Sequence, residues 1–162
     1  MIVARKENFY FSSNVRSTYN ENEGNPDANT FSMVGDLTAN NDYLSLRGDD
    51  GKYQFKLIYT YASGLPDELI WKQSSWLTSS TILGYEPISI PTETVSTCNT
   101  YAGCKFIGLG YSTSGATFID GTGGHHGDWW HSVGSIQQYG HLTSPGHNAR
   151  YAKTEALYVW GM

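Results

Sequence analysis

Short apolar runs, each closed by glycine, proline, asparagine or aspartate at a spacing of roughly ten residues, leave this chain few folds to choose from. In the clearest run, Lys52, Gln54 and Lys56 alternate with Tyr53, Phe55 and Leu57. A period of two with one apolar face marks a half-buried antiparallel strand. Tyr43-Leu44-Ser45-Leu46-Arg47 also alternates, and Gly48-Asp49-Asp50-Gly51 between the two predicts a hairpin. Further strands are expected within 2–15, 30–34, 68–71, 105–111, 116–119, 135–139 and 151–160. In the last of these, Leu157-Tyr158-Val159-Trp160 favours strand over helix. The pieces 82–85 and 88–90 flank Pro87 and stop at Pro91, which suits edge strands or turns. Residues 17–29, 35–42 and 77–80 read as polar connections. No repeat of fixed length is present, which disfavours a propeller or trefoil. The expected fold is therefore all-β: one domain over 1–162, an antiparallel β-sandwich of jelly-roll-like form, with a barrel as second choice.

Composition narrows the partners. Only 15% of residues are charged, well below the usual quarter, while tyrosine (12) and glycine (18) are abundant. Helix-favouring residues are scarce, and the balance suits a rigid extracellular β-protein. The net charge is −5 and the cations are scattered singly, which argues against nucleic acid and anionic membrane as partners. No apolar stretch reaches membrane-spanning length, so no membrane insertion is expected. The N-terminal residues lack the apolar core of a signal peptide, so a secreted protein is expected to begin after a removed signal. Cys98 and Cys104 enclose five residues, which permits one disulfide and implies an oxidising compartment; two free thiols are the plain alternative.

The densest chemistry lies between Phe118 and Gly134, FIDGTGGHHGDWWHSVG. The expected local form is strand, glycine-rich loop, strand. Trp129 or Trp130 offers an indole face to a sugar, while Asp120, His125, His126, Asp128 and His131 supply directional hydrogen bonds. Gly121 opens the loop, and Gln138, Tyr139 and His141 are placed at its rim. The plain alternative is a loop with at least one tryptophan turned into the core, since neighbours on a strand face opposite ways.

Other chemistries have less support. His125, His126, Asp128 and His131 carry zinc-ligand groups, but adjacent histidines share one ion poorly and no HExxH helix is present. Calcium is the cofactor left open, through Asp120, Asp128 and loop carbonyls, or through Glu21, Glu23, Asp27 and Asn29 in a loop that otherwise reads as solvated. A glycosidase would need two carboxylates from among Asp120, Asp128, Glu86 and Glu155. No G-x-S-x-G elbow is present, and no helix follows the glycines to make a phosphate loop. Arg47-Gly48-Asp49 is the tripeptide that integrins recognise, and in three residues it reads first as a turn. Trp71, Lys72, Gln73 and Trp76 form a second aromatic and polar group, with Trp71 expected in the core.

The expected function is a secreted, non-catalytic carbohydrate-binding protein whose partners are glycans or glycoproteins. The alternatives are an extracellular adhesion module that binds proteins through a tyrosine-rich surface and, third, a small hydrolase. Homo-oligomerisation is left open.

Overall fold

A computed structural model describes residues 1–6, 9–12, 15–61, 66–90, 106–111, 117–120, 133–135 and 152–161. The strands are β1 (Val3–Lys6), β2 (Asn20–Glu21), β3 (Thr30–Met33), β4 (Tyr53–Thr60), β5 (Pro66–Gln73), β6 (Glu86–Ser89), β7 (Gly110–Tyr111), β8 (Thr117–Asp120), β9 (Val133–Ser135) and β10 (Thr154–Trp160). Two short helices interrupt them, α1 (Val15–Thr18) and α2 (Val34–Ala39). One sheet has the order β2-β3-β1-β10-β4-β5-β6, a smaller one β7-β8-β9, and every strand pair is antiparallel. The expected all-β fold is there. The larger sheet is open among the described residues, ending at β2 and β6, so the barrel alternative is not what forms.

β4 shows how sequence becomes layer. Tyr53, Phe55, Leu57 and Tyr59 are fully buried, while Gln54, Lys56, Ile58 and Thr60 are half-buried on the other face. Register carries the same division to its neighbours. Leu157 lies opposite Leu57, Trp71 opposite Phe55, and Leu69 opposite Leu57. Each fully buried Leu or Phe contributes roughly 1.5–3 kcal/mol of transfer free energy. The smaller sheet covers this apolar face. Phe118 of β8 stacks on Phe11 at 4.4 Å, and the Gly134 amide of β9 donates to Glu155 of β10 at 3.1 Å.

Gly134 makes that approach possible. Its φ is +74°, and an added Cβ would stand 2.7 Å from Phe11 Cε2 and 2.9 Å from Phe118 Cβ. Gly134→Ala therefore combines left-handed strain with overpacking, and a loss of about 2–4 kcal/mol in denaturant unfolding is expected. A loss below 1 kcal/mol would mean that the two sheets do not pack this closely.

The outer face of the larger sheet is solvated and laced with ion pairs. Lys52 meets Glu86 at 2.7 Å, Lys56 meets Glu68 at 2.9 Å, and Lys72 meets Asp50 at 2.7 Å. Exposed pairs of this kind help fix register more than they stabilise. Half-buried Tyr158 and Trp160 share the face, opposite Lys56 and Gln54. At the sheet margin, the four β6 residues are all exposed and include Pro87, as the sequence suggests for an edge strand.

Two local expectations need correction. Residues Asp42–Leu46 form a 3-10 helix, not the first strand of a hairpin. Tyr43 and Leu46, three apart, both pack on the core while Leu44 is exposed, so the apolar spacing follows the three-residue period. Nor are residues 17–29 and 35–42 plain connections, because the end of α1 and β2 fall in the first, and α2 and the start of the 3-10 helix in the second. Among the described residues no helix is long and apolar enough to cross a membrane.

Candidate functional site

The described residues contain a cleft of about 570 Å³ where the chain leaves β5. Ser74 and Ser75 of its lining follow directly on Gln73, the last residue of that strand. The carboxamide is fully buried, and its Nε2 donates to Ser75 O at 2.9 Å and Leu109 O at 2.7 Å. Its Oε1 accepts from Trp71 Nε1 at 2.8 Å and from Leu109 N at 2.9 Å. All four of its hydrogen-bonding sites are used. The amide thus acts as a piece of backbone between β5 and the segment leading into β7. Gly108 has no side chain where this group passes, since an added Cβ would lie 2.5 Å from Gln73 Oε1.

Beyond Gln73 the chain makes a tied loop. Ser74 N donates to Leu83 O at 2.8 Å, and Leu83 N donates to Ser75 Oγ at 3.0 Å, closing its neck. Trp76 and Leu77 turn into the core, so the loop is anchored at its middle. Trp76 lies against Tyr43 at 5.1 Å and Tyr53 at 5.2 Å, and its Nε1 donates to Thr38 Oγ1 at 2.8 Å. Ser79 N donates to Trp76 O, and Tyr111 N of β7 donates to Ser79 O. With Trp76 held inward, Thr78, Ser79, Ser80 and Thr81 line the cleft.

Tyr43 and Arg47, from the 3-10 helix and its end, also line the cleft. Arg47 Nε donates to Tyr53 Oη at 2.9 Å, Nη2 donates to Ser74 O at 3.2 Å, and the guanidinium lies 5.0 Å from the Tyr53 ring centre. Burial pushes the Tyr53 hydroxyl pKa up, and the Arg47 hydrogen bond opposes that rise. Arg47 is the one charged group among the described lining residues. The cleft thus offers an aromatic wall, a row of hydroxyls and one cation. Such a set can hydrogen-bond a polar, ring-shaped solute.

Of the residues expected to bind ligand, Asp120 alone has a described backbone. It pairs with Gly110 across β7 and β8. Gly110 in turn packs against the loop, an added Cβ there being 2.8 Å from Ser79 O. Asp120, the last residue of β8, is therefore about one strand spacing, roughly 4.8 Å, from a strand that touches the cleft loop. The strands expected on either side of that stretch are β8 and β9. Gly121, His125, His126, Asp128, Trp129, Trp130, His131, Gln138, Tyr139 and His141 lie outside the described residues, as do Cys98 and Cys104.

The other candidates are placed clearly. Trp71 is fully buried, stacked on Phe55 at 5.3 Å and edge-on to Phe106 at 4.8 Å, as expected of core. Glu86 and Glu155 sit on β6 and β10 with β4 and β5 between them, so these two carboxylates do not flank one bond. Glu21 Oε2 accepts from Ser12 N at 3.1 Å and Oε1 accepts from Thr30 Oγ1, which ties that carboxylate into the structure. Among the described residues no group of three or more His, Cys, Asp or Glu side chains could hold a metal ion. The Arg47 side chain is folded onto Tyr53 and Ser74, which removes it from an integrin-type display.

Sequence reasoning passed over Arg47 as a ligand residue and residues 77–80 as a polar connection. The signal available was the run of hydroxyls Thr78, Ser79, Ser80 and Thr81, separated from Trp76 by Leu77 alone. Comparison with family models, characterised proteins and solved structures finds no match to this chain.

Proposed function

We propose that this protein is a non-catalytic carbohydrate-binding module that holds a sugar in the cleft beside Trp76. The observation that carries the reading is one cleft lined both by the stacked aromatics Tyr43 and Trp76 and by four consecutive hydroxyl residues, Thr78 to Thr81. Sugar rings present an apolar C–H face and a rim of hydroxyls, and this lining matches both. The ligand groups expected of the stretch 118–134, Asp128, Trp129, Trp130 and the histidines, belong to the same carbohydrate reading. Calcium enters only through Asp120 and Asp128, so EDTA forms one arm of the test. Secretion, with Cys98 and Cys104 bridged, accompanies the proposal.

Calorimetric titration with a panel of oligosaccharides tests it. Binding is expected, with a rise in thermal midpoint, because a ligand that binds only the native state stabilises it. Thr78→Val with Thr81→Val keeps the side-chain shape and removes two hydroxyls. Affinity is expected to fall by about tenfold to a hundredfold, at roughly 1 kcal/mol per lost hydrogen bond. A folded protein that binds no sugar leaves the adhesion reading, for which the observation is the half-buried outer face bearing Tyr158 and Trp160.

A further inference from the structure

We infer that Arg47 makes the cleft selective for sugars that carry a carboxylate, such as uronic acids. The inference rests on the carbohydrate reading and names the ligand class of the same site. Four of the described cations already face a carboxylate. Lys52, Lys56 and Lys72 pair with Glu86, Glu68 and Asp50, Arg5 faces Glu155, and Lys6 donates to Asp27 O. Arg47 has no carboxylate within ion-pair distance among the described residues, and no acidic side chain lines its cleft there.

The guanidinium is also held in place. Its bonds to Tyr53 Oη and Ser74 O, with the Tyr53 ring beside it, commit two of the five N–H donors and fix the plane of the fork. Three donors are left. A planar fork with free N–H groups binds a carboxylate through two parallel hydrogen bonds, and prior immobilisation lowers the entropy lost on binding. The neighbouring hydroxyls from Thr78 to Thr81 then suit the hydroxyls of the same sugar ring. In a chain of net charge −5, an arginine without a carboxylate also gives this cleft a local sign opposite to the rest of the surface.

The test compares affinities of the full chain for a neutral galacto-oligosaccharide, an oligogalacturonate and a sulfated galacto-oligosaccharide, by calorimetry in low salt and in 0.5 M salt, a concentration at which exposed charges are strongly screened to about a few ångströms. The expected result is a uronate-to-neutral preference of about tenfold to a hundredfold, reduced in high salt. In Arg47→Gln the ratio is expected to fall to near one. Arg47→Lys, which keeps the charge without the fork, is expected to retain a small part of the preference and guards against misfolding of the glutamine variant. Equal wild-type affinity for uronate and neutral sugar, or a preference that survives in both variants, overturns the role of Arg47 and leaves the carbohydrate reading standing. Tighter binding of the sulfated sugar overturns the carboxylate assignment. Failure of all three sugars to bind overturns both.

Discussion

Gln73→Leu is expected to cost about 3–5 kcal/mol, although it replaces a polar side chain with an apolar one of similar size. The site is fully buried, so hydrophobicity alone would favour leucine. The bonds decide otherwise. Removing the carboxamide leaves Trp71 Nε1, Leu109 N, Leu109 O and Ser75 O without the partners now at 2.7–2.9 Å. An orphaned buried group costs roughly 1–3 kcal/mol, and four of them outweigh the gain from one apolar side chain even after relaxation. Urea unfolding measures the loss. A change under 1 kcal/mol would show that the Gln73 bonds are dispensable, and with them the tie between β5 and the β7 segment. If the proposed carbohydrate reading holds, the same variant should also weaken sugar binding, because Ser75 and Ser79 are positioned through that tie.

The second large effect concerns a buried charge. Glu155 of β10 is 1% exposed and lies opposite Arg5 of β1, which is 5% exposed. Arg5 Nε and Glu155 Oε2 are 3.6 Å apart, an ion pair too long for a hydrogen bond, while Oε2 also accepts from Gly134 N. Glu155 Oε1 has no hydrogen-bond partner among the described residues. Glu155→Ala leaves Arg5 buried without its counter-charge and the Gly134 amide without its acceptor. The expected loss is about 3–5 kcal/mol in urea unfolding. Glu155→Gln keeps an acceptor oxygen and is expected to cost less than half as much.

Acidity separates the two forms of Glu155 further. Burial raises its pKa above the ordinary 4.5, with Arg5 and the Gly134 amide pulling the other way. The folded state therefore holds this proton at pH values where the unfolded chain has released it. Stability from this group is present below 4.5 and declines as pH rises from there through the raised folded pKa. Tyr59 of β4, opposite Glu155, stays neutral across that window, since burial pushes its hydroxyl well up. The wild-type minus glutamine difference, measured from pH 4 to 8, should move in favour of glutamine as pH increases. A flat difference would refute a raised Glu155 pKa.

The strands that carry the core were legible because their side chains obey a period of two. Tyr53, Phe55, Leu57 and Tyr59 announce β4 by alternation, and Leu157 to Trp160 announce β10 by β-branched and aromatic content. The stretch from Tyr43 to Arg47 misled because a five-residue 3-10 helix is too short to show a period distinct from alternation. Likewise α2, with six residues including a glycine, has too few turns to show helical spacing. Gln73 was unreadable for another reason. A buried glutamine looks like a surface glutamine until its partners, Leu109 in particular, are brought in from 36 positions away. Glu155 read as a candidate catalytic acid because sequence gives charge without depth. The cleft itself had no motif to find. Its chemistry is shared between the end of a 3-10 helix, Arg47, and a loop, Thr78 to Thr81, that only the fold joins.

The β6 margin bears on how this protein behaves when crowded. A long, bare sheet border invites neighbouring molecules to add strands and grow into fibres. Here the border strand is four residues long, and Pro87 has no amide hydrogen to offer a newcomer. Glu86 adds a carboxylate at the same border. Copies brought side by side at high concentration would thus meet at β6 a border poorly suited to seeding.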